Sequence, residues 1–216
     1  MRRILCYGDS NTWGFSSVPE PPAPRYARDS RWPCVMAEIL GDAVVEEGLN
    51  GRTTDLADPT HPELFGAGLN GAAYLPACLA SHLPLDLVII LLGTNDLKAM
   101  YARTPLRIAA GALLLVEIAL GIGPGIGTPY DKSPDVLLVC PPKLGAMSHF
   151  GEMFAGGHAK AEALAPLYGQ VATLAGVGFL DAGLHIASDG ADGLHWSAET
   201  QRVLGRAMAE AVGGRF

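Results

Sequence analysis

Five short apolar runs punctuate the chain: Ile4 to Tyr7, Ala43 to Glu46, Leu87 to Leu92, Val136 to Cys140 and Gly178 to Leu180. The third and fourth are almost unbroken Val, Ile and Leu, the pattern of parallel strands buried on both faces. Between the runs the period changes. Arg31 to Leu40, Gly71 to His82, Pro105 to Ile122, Gly157 to Ala175 and Ala198 to Val212 read as helices, and Arg31 to Leu40 carries its apolar residues at helical spacing. Thr104 followed by Pro105 has the form of a helix cap and a first-turn proline. This alternation predicts an α/β fold, a three-layer α/β/α sandwich around a five-stranded parallel sheet. No linker or repeat interrupts it, so residues 1–216 read as one domain, long enough to bury a core without disulfide or metal.

In such folds ligands bind beyond the carboxyl ends of the strands. The irregular blocks of this sequence fall there. Gly8-Asp9-Ser10, Gly48-Leu49-Asn50-Gly51, Gly93-Thr94-Asn95-Asp96 and Pro141-Pro142-Lys143 each follow a strand directly. Four loops therefore converge on one sheet edge. Two longer stretches, Ser16 to Asp29 and Thr53 to Asn70, are rich in proline or glycine and read as loops that cover a site or form a contact surface.

Charge and composition narrow the partners. The net charge is −7 with no basic run, which argues against nucleic acid and against anionic lipid. The apolar stretch Ile108 to Ile122 contains Glu117 and is followed by Gly123, Pro124 and Gly125, too short for a membrane span. The segment before Gly8 is too short for a secretory signal, so a cytoplasmic protein is expected. Cys6, Cys34, Cys78 and Cys140 form no C-x-x-C pair, and the histidines show no H-x-x-x-H spacing. Buried free thiols, no metal site and no cofactor are the expectation.

Ser10 stands where a strand gives way to a helix. A serine there is a natural N-cap, but its hydroxyl is also exposed at the sheet edge beside backbone N–H groups that can face an oxyanion. Three other features favour chemistry over capping. Asp192-Gly193-Leu194-His195 supplies a base for a hydroxyl that is otherwise a weak nucleophile, and a carboxylate three residues earlier to orient it. Asn95, just past a buried strand, can donate to an oxyanion, although a turn-forming Asn is the plainer reading. Gly51 lets its N–H approach a substrate oxygen, although it too suits a plain turn. A nucleophile, base, orienting acid and oxyanion donors on loops at one edge are what an acyl-transfer site requires. Asp189 also precedes His195, but by six residues, so Asp192 is preferred.

The blocks Gly8-Asp9-Ser10-Asn11, Gly48-Leu49-Asn50-Gly51, Gly93-Thr94-Asn95-Asp96 and Asp192-Gly193-Leu194-His195 resemble, in order, the four signature blocks of SGNH (GDSL-like) hydrolases. The resemblance implies a flavodoxin-like sheet, Ser10 as nucleophile, Asp192 and His195 as its partners, and an oxyanion hole of the Ser10 and Gly51 N–H groups with the Asn95 side chain. The stretches Glu46 to Thr54, Tyr74-Leu75-Pro76, Leu83 to Ile90 and Asp181-Ala182-Gly183 are similar to the bacterial arylesterase/acyltransferase (perhydrolase) branch. That implies short-chain esters, acyl transfer as a side activity and a homo-oligomer whose neighbours narrow the pocket. Two departures stand out: Asn11, where the best-known acyltransferase of that branch has an apolar residue, and a longer loop around Glu63 to Leu69.

Asn11, Trp13, Thr94, Phe150, Met153 and Phe154 are the candidate substrate-binding residues. Trp13 suits a pocket wall or core packing equally. Phe150, Met153 and Phe154, spaced i, i+3, i+4, form a stripe that is more often core than pocket. Asp9 reads as a turn-fixing acceptor and Lys143 as a solvated surface charge. A serine carboxylic-ester hydrolase is therefore expected. The alternatives are a carbohydrate or peptidoglycan O-deacetylase and a non-catalytic small-molecule binder on the same fold.

Overall fold

The computed structural model describes residues 1–17, 25–60, 68–123 and 132–216. Five parallel strands, β1 (Arg3–Gly8), β2 (Ala43–Gly48), β3 (Leu87–Leu91), β4 (Asp135–Cys140) and β5 (Gly178–Asp181), form one sheet in the order β2-β1-β3-β4-β5. Each apolar run of the sequence is a strand. The three inner strands are buried along nearly their whole length, whereas the edge strand β2 is partly exposed.

Side chains alternate across the sheet and define two cores. Leu5, Tyr7, Val88, Ile90 and Leu138 pack one way, against α3 (Gly71–His82), α4 (Pro105–Gly121) and α6 (Leu164–Ala175). Ile4, Cys6, Ile89, Leu91 and Val139 pack the other way, against α2 (Trp32–Leu40) and α7 (Ala198–Arg215). Fully burying one such side chain contributes about 1.5–3 kcal/mol. Ile89→Ala, which opens a cavity at the centre of β3, would cost about 2–5 kcal/mol.

The helix ends follow their sequence signals. The Thr104 side chain accepts from the Arg107 N–H at 3.3 Å with Pro105 in the first turn, and the Ser197 side chain caps α7. One expected helix is two. The segment Gly157 to Ala175 breaks at Ala163 into α5 (Gly157–Glu162) and α6. Pro166 explains the break, because it has no N–H for the Glu162 carbonyl and its ring crowds that carbonyl. Among the described residues no helix is long and apolar enough to cross a membrane.

The sheet order places β1 and β3 side by side with their outgoing connections on opposite faces. That is the switch point where a crevice opens beyond the strand ends. The short helix α1 (Ser10–Trp13) starts there.

Candidate active site

β1 delivers Ser10 to the first position of α1. The preceding Asp9 caps the helix, its carboxylate accepting the Asn11 N–H at 2.9 Å. Burial raises the Asp9 pKa to about 6, against the Asn11 hydrogen bond and the nearby His195 and Arg52.

His195 arrives from the other end of the chain, on the loop before α7. Its Nε2 lies 2.9 Å from Ser10 Oγ and its Nδ1 lies 2.6 Å from Asp192 Oδ2. The other Asp192 oxygen accepts the backbone N–H groups of Leu194 and His195, each at 2.9 Å, so the carboxylate is held at both ends. Burial pushes the Asp192 pKa up, but the His195 hydrogen bonds and charge outweigh it and bring it down to about 2. Gly193 makes the turn possible: its φ is +77°, and a Cβ there would lie 2.4 Å from the Ala146 carbonyl oxygen. Phe15 packs over the imidazole, with ring centroids 4.2 Å apart. Asp189 is turned elsewhere. It accepts from the Ser197 N–H and hydroxyl and from Thr200, tying down the start of α7.

Gly51 has φ +87° in the turn after β2. Asn95 opens a short 3₁₀ turn after β3, and its Nδ2 donates to the Arg52 carbonyl at 3.1 Å. Buried charge locks these two loops. Asp96 accepts from the Thr54 N–H at 3.0 Å, the Thr54 hydroxyl at 2.6 Å and Arg103 at 2.8 Å, and Arg103 also pairs with Asp55. Arg52 lies over the Tyr7 ring and donates to the carbonyls of Gly8 and Glu47, joining the ends of β1 and β2.

These loops surround a cavity of about 250 Å³ lined by Ser10, Gly51, Asn95 and His195. Asn11, Thr94, Phe150, Met153 and Phe154 also line it. The stretch around Phe150 is a series of turns rather than a helix, yet Phe154 N–H still donates to the Phe150 carbonyl and keeps the two rings on one side. Asn11 additionally donates to the Leu194 carbonyl at 3.3 Å, linking the Ser10 helix to the His195 loop, while its Oδ1 is buried without a hydrogen-bond partner among the described residues.

Trp13 is the exception. It lies outside this cavity and lines an adjoining one of about 510 Å³, which shares Asn50, Gly51 and Lys98 with the first. Arg25 stacks on its indole at 5.1 Å and the ring faces this neighbouring space. Phe15, Asn50 and Lys98 went unassigned in the sequence. Asn50 precedes the assigned Gly51, Phe15 follows Trp13 by two positions, and Lys98, buried and 3.6 Å from Asp58, follows the third block by two positions. Lys143 is exposed as expected, and the four cysteines are free and buried. Most of the longer loop around Glu63 to Leu69 lies outside the described residues. Among those described, metal-ligating side chains converge only at Glu47, Cys78 and His82, away from this cavity.

A model of the GDSL-like Lipase/Acylhydrolase family matches residues 6–203. No curated protein sequence matches. Among solved structures, the chain is similar to Est24, a carbohydrate acetylesterase from Sinorhizobium meliloti, at 48% identity, TM-score 0.94 and full coverage of both chains. It is similar to an M. smegmatis aryl esterase at 49% identity, again with TM-score 0.94 and full coverage of both. A carbohydrate acetylesterase family member from Sinorhizobium meliloti shares 36% identity at TM-score 0.86, covering 98% of this chain and 97% of its own.

Proposed function

The chain belongs to the GDSL-like lipase/acylhydrolase family, and on that footing we propose that it is a serine carboxylic-ester hydrolase acting on short-chain esters through an acyl-enzyme. The observation that carries this reading is the continuous relay from Asp192 through His195 to Ser10, with separations of 2.6 and 2.9 Å. His195 Nε2 takes the Ser10 proton as Oγ attacks the ester carbonyl, while Asp192 holds the imidazole in the right tautomer and stabilises its charge. The Ser10 and Gly51 N–H groups and the second Asn95 Nδ2 hydrogen receive the oxyanion. His195 then protonates the leaving alkoxide and activates water against the acyl-enzyme. No cofactor enters these steps.

The 250 Å³ cavity, below the usual range for larger ligands, supports acetyl to butyryl groups. Hydrolysis rates over a p-nitrophenyl ester series test this directly. The best rates are expected from acetyl to butyryl, and a preference for octanoyl would defeat the reading. The same small, partly apolar site supports acyl transfer to an added alcohol, measured as product ratio with vinyl acetate and a primary alcohol in buffer. The apolar surplus of the sequence and its resemblance to the arylesterase/acyltransferase branch support a homo-oligomer, read by light scattering. A cytoplasmic location, without nucleic-acid or membrane partners, completes the proposal.

A second reading is O-deacetylation of carbohydrate. The adjoining cavity with Trp13, Asp58 and Lys98 supports it, since an aromatic face with polar groups suits a sugar, and two similar structures are carbohydrate acetylesterases by name. Acetate release from an acetylated xyloside faster than from p-nitrophenyl acetate would favour it. Failure of a fluorophosphonate to label Ser10 would instead favour a non-catalytic binder.

A further inference from the structure

Helix α3 presents Tyr74, Cys78 and His82 at four-residue intervals, so all three lie along one face. That face meets Glu47, the penultimate residue of the edge strand β2. One donor atom each from Glu47, Cys78 and His82 lies within 4.8 Å of the others. His82 Nε2 is 2.9 Å from Glu47 Oε1, and the Tyr74 hydroxyl is 3.5 Å from Glu47 Oε2. The Cys78 thiol also hydrogen-bonds with the Glu47 carboxylate and the Tyr74 hydroxyl, so a sulfur, a nitrogen and an oxygen donor already converge on one point.

We propose that Glu47, Cys78 and His82 bind a divalent transition metal of borderline softness, with zinc as the best match. In tetrahedral zinc sites, with bonds of about 2.0–2.3 Å, neighbouring donors sit about 3.2–3.7 Å apart. To reach that spacing the His82–Glu47 pair, at 2.9 Å, opens by a few tenths of an ångström, and the thiol, within 4.8 Å of both, closes in by up to about 1 Å. One sulfur, one nitrogen and one oxygen are the donors zinc takes, and they disfavour magnesium and calcium. On binding, the Cys78 thiol releases its proton to solvent and its sulfur bonds to the metal. Thiolate, carboxylate and a neutral imidazole then balance the two positive charges. Tyr74 steadies the carboxylate from outside the ligand set. The Glu47 and His82 side chains are 20% and 26% exposed, which gives an ion a way in and leaves a fourth position for water.

Arg52 limits the affinity. Its guanidinium lies 5.3 Å from the Tyr74 ring and repels a bound cation. Binding about micromolar, weaker than four-ligand structural zinc, is therefore expected. Cys78-x-x-x-His82 has neither the His–His nor the Cys–Cys spacing that marks common zinc motifs, and Glu47 joins it only through the fold. The site stands independently of the ester chemistry. It would pin the strand that leads into Gly51, so a rise in thermal midpoint is the expected consequence.

The test uses the full chain, stripped with a chelator. Zinc is titrated calorimetrically and cobalt by absorption. One equivalent of each should bind, with a thiolate-to-cobalt charge-transfer band in the near ultraviolet. Cys78→Ser should abolish the band, and His82→Gln should weaken zinc binding by about tenfold or more, the lower range for loss of a metal contact. His82 is partly exposed, so its variant reports even if the buried Cys78→Ser chain fails to fold. Absence of zinc binding at millimolar concentration, a cobalt spectrum without the band, or unchanged affinity in His82→Gln would each overturn the proposal.

Discussion

The two walls of the cavity are built by opposite means. On the side formed by the ends of β1, β2 and β3, nearly every group is fixed by a hydrogen bond or a buried charge. Asp9 holds the Asn11 N–H, Asn95 holds the Arg52 carbonyl, and Asp96 with Arg103 locks the loop that begins at Thr54. On the opposite side, Phe150, Met153 and Phe154 contribute apolar surface, and Met153 remains 46% exposed. The difference matches what each wall must do under the proposed mechanism. An oxyanion is stabilised only by dipoles already in place when charge develops, because reorganising them would consume the gain. An acyl chain needs a shape and little else. Changes to the polar wall should therefore appear in kcat, and changes to the apolar wall in substrate preference.

The largest effect tests the relay beside the polar wall. Ser10→Ala or His195→Ala should each lower kcat by about 10⁴ or more, because the three residues act as a unit. A Ser10→Ala protein with a tenth of the parent rate would remove the proposed mechanism. Asp192→Asn should cost about 10⁴ by presenting the wrong tautomer. Asp189→Asn, which disturbs only the cap of α7, should be mild in the same assay. If their order were reversed, the acid would be misassigned. Asn95→Ala should lower kcat by about 10² to 10³ with KM nearly constant, since its donor acts on the transition state. A pure KM effect would make Asn95 a ground-state binder and blur the contrast between the walls.

Phe154→Ala should leave acetyl-ester hydrolysis within about tenfold and shift preference toward hexanoyl and octanoyl esters, an effect of about 1–3 kcal/mol in relative rate. An equal loss for every ester would mean that the ring only supports the fold. A last effect concerns stability rather than rate. Burial holds the folded Asp9 pKa near 6, above its unfolded value, so ionisation opposes folding as pH rises through that range. Asp9→Asn keeps an acceptor for the Asn11 N–H without the charge. It should raise stability above pH 6 by up to about 3 kcal/mol, and the gain should vanish below about pH 4. Denaturant melts at pH 8 and pH 4 measure it, and destabilisation at both would mean that the ionised carboxylate is needed for the cap.

The inner strands were legible because burial on both faces leaves continuous apolar runs, as in Leu87 to Leu92. The relay residues Ser10, Asp192 and His195 were legible for a different reason: each sits in a block whose local geometry demands unusual residues, such as Gly193 at positive φ. What stayed hidden depended on tertiary direction. Nothing local showed that Trp13 lines the neighbouring cavity, or that Phe15 folds over His195. The buried pairing of Asp96 with Arg103 and Thr54 joins loops that the sequence treats separately. The break at Ala163 was readable from Pro166, whose signal is local, but the apolar content of the flanking segments masked it.

The hydrogen bond from His195 to Ser10 spans 185 residues of chain. On the proposed mechanism the nucleophile is therefore made long before its base. Until α7 docks beside α2 and Gln201 reaches the Asn11 carbonyl, Ser10 has no imidazole to accept its proton. A chain cut ahead of Asp192 would carry the hydroxyl without the reactivity, so docking of α7 is itself the step that arms the site.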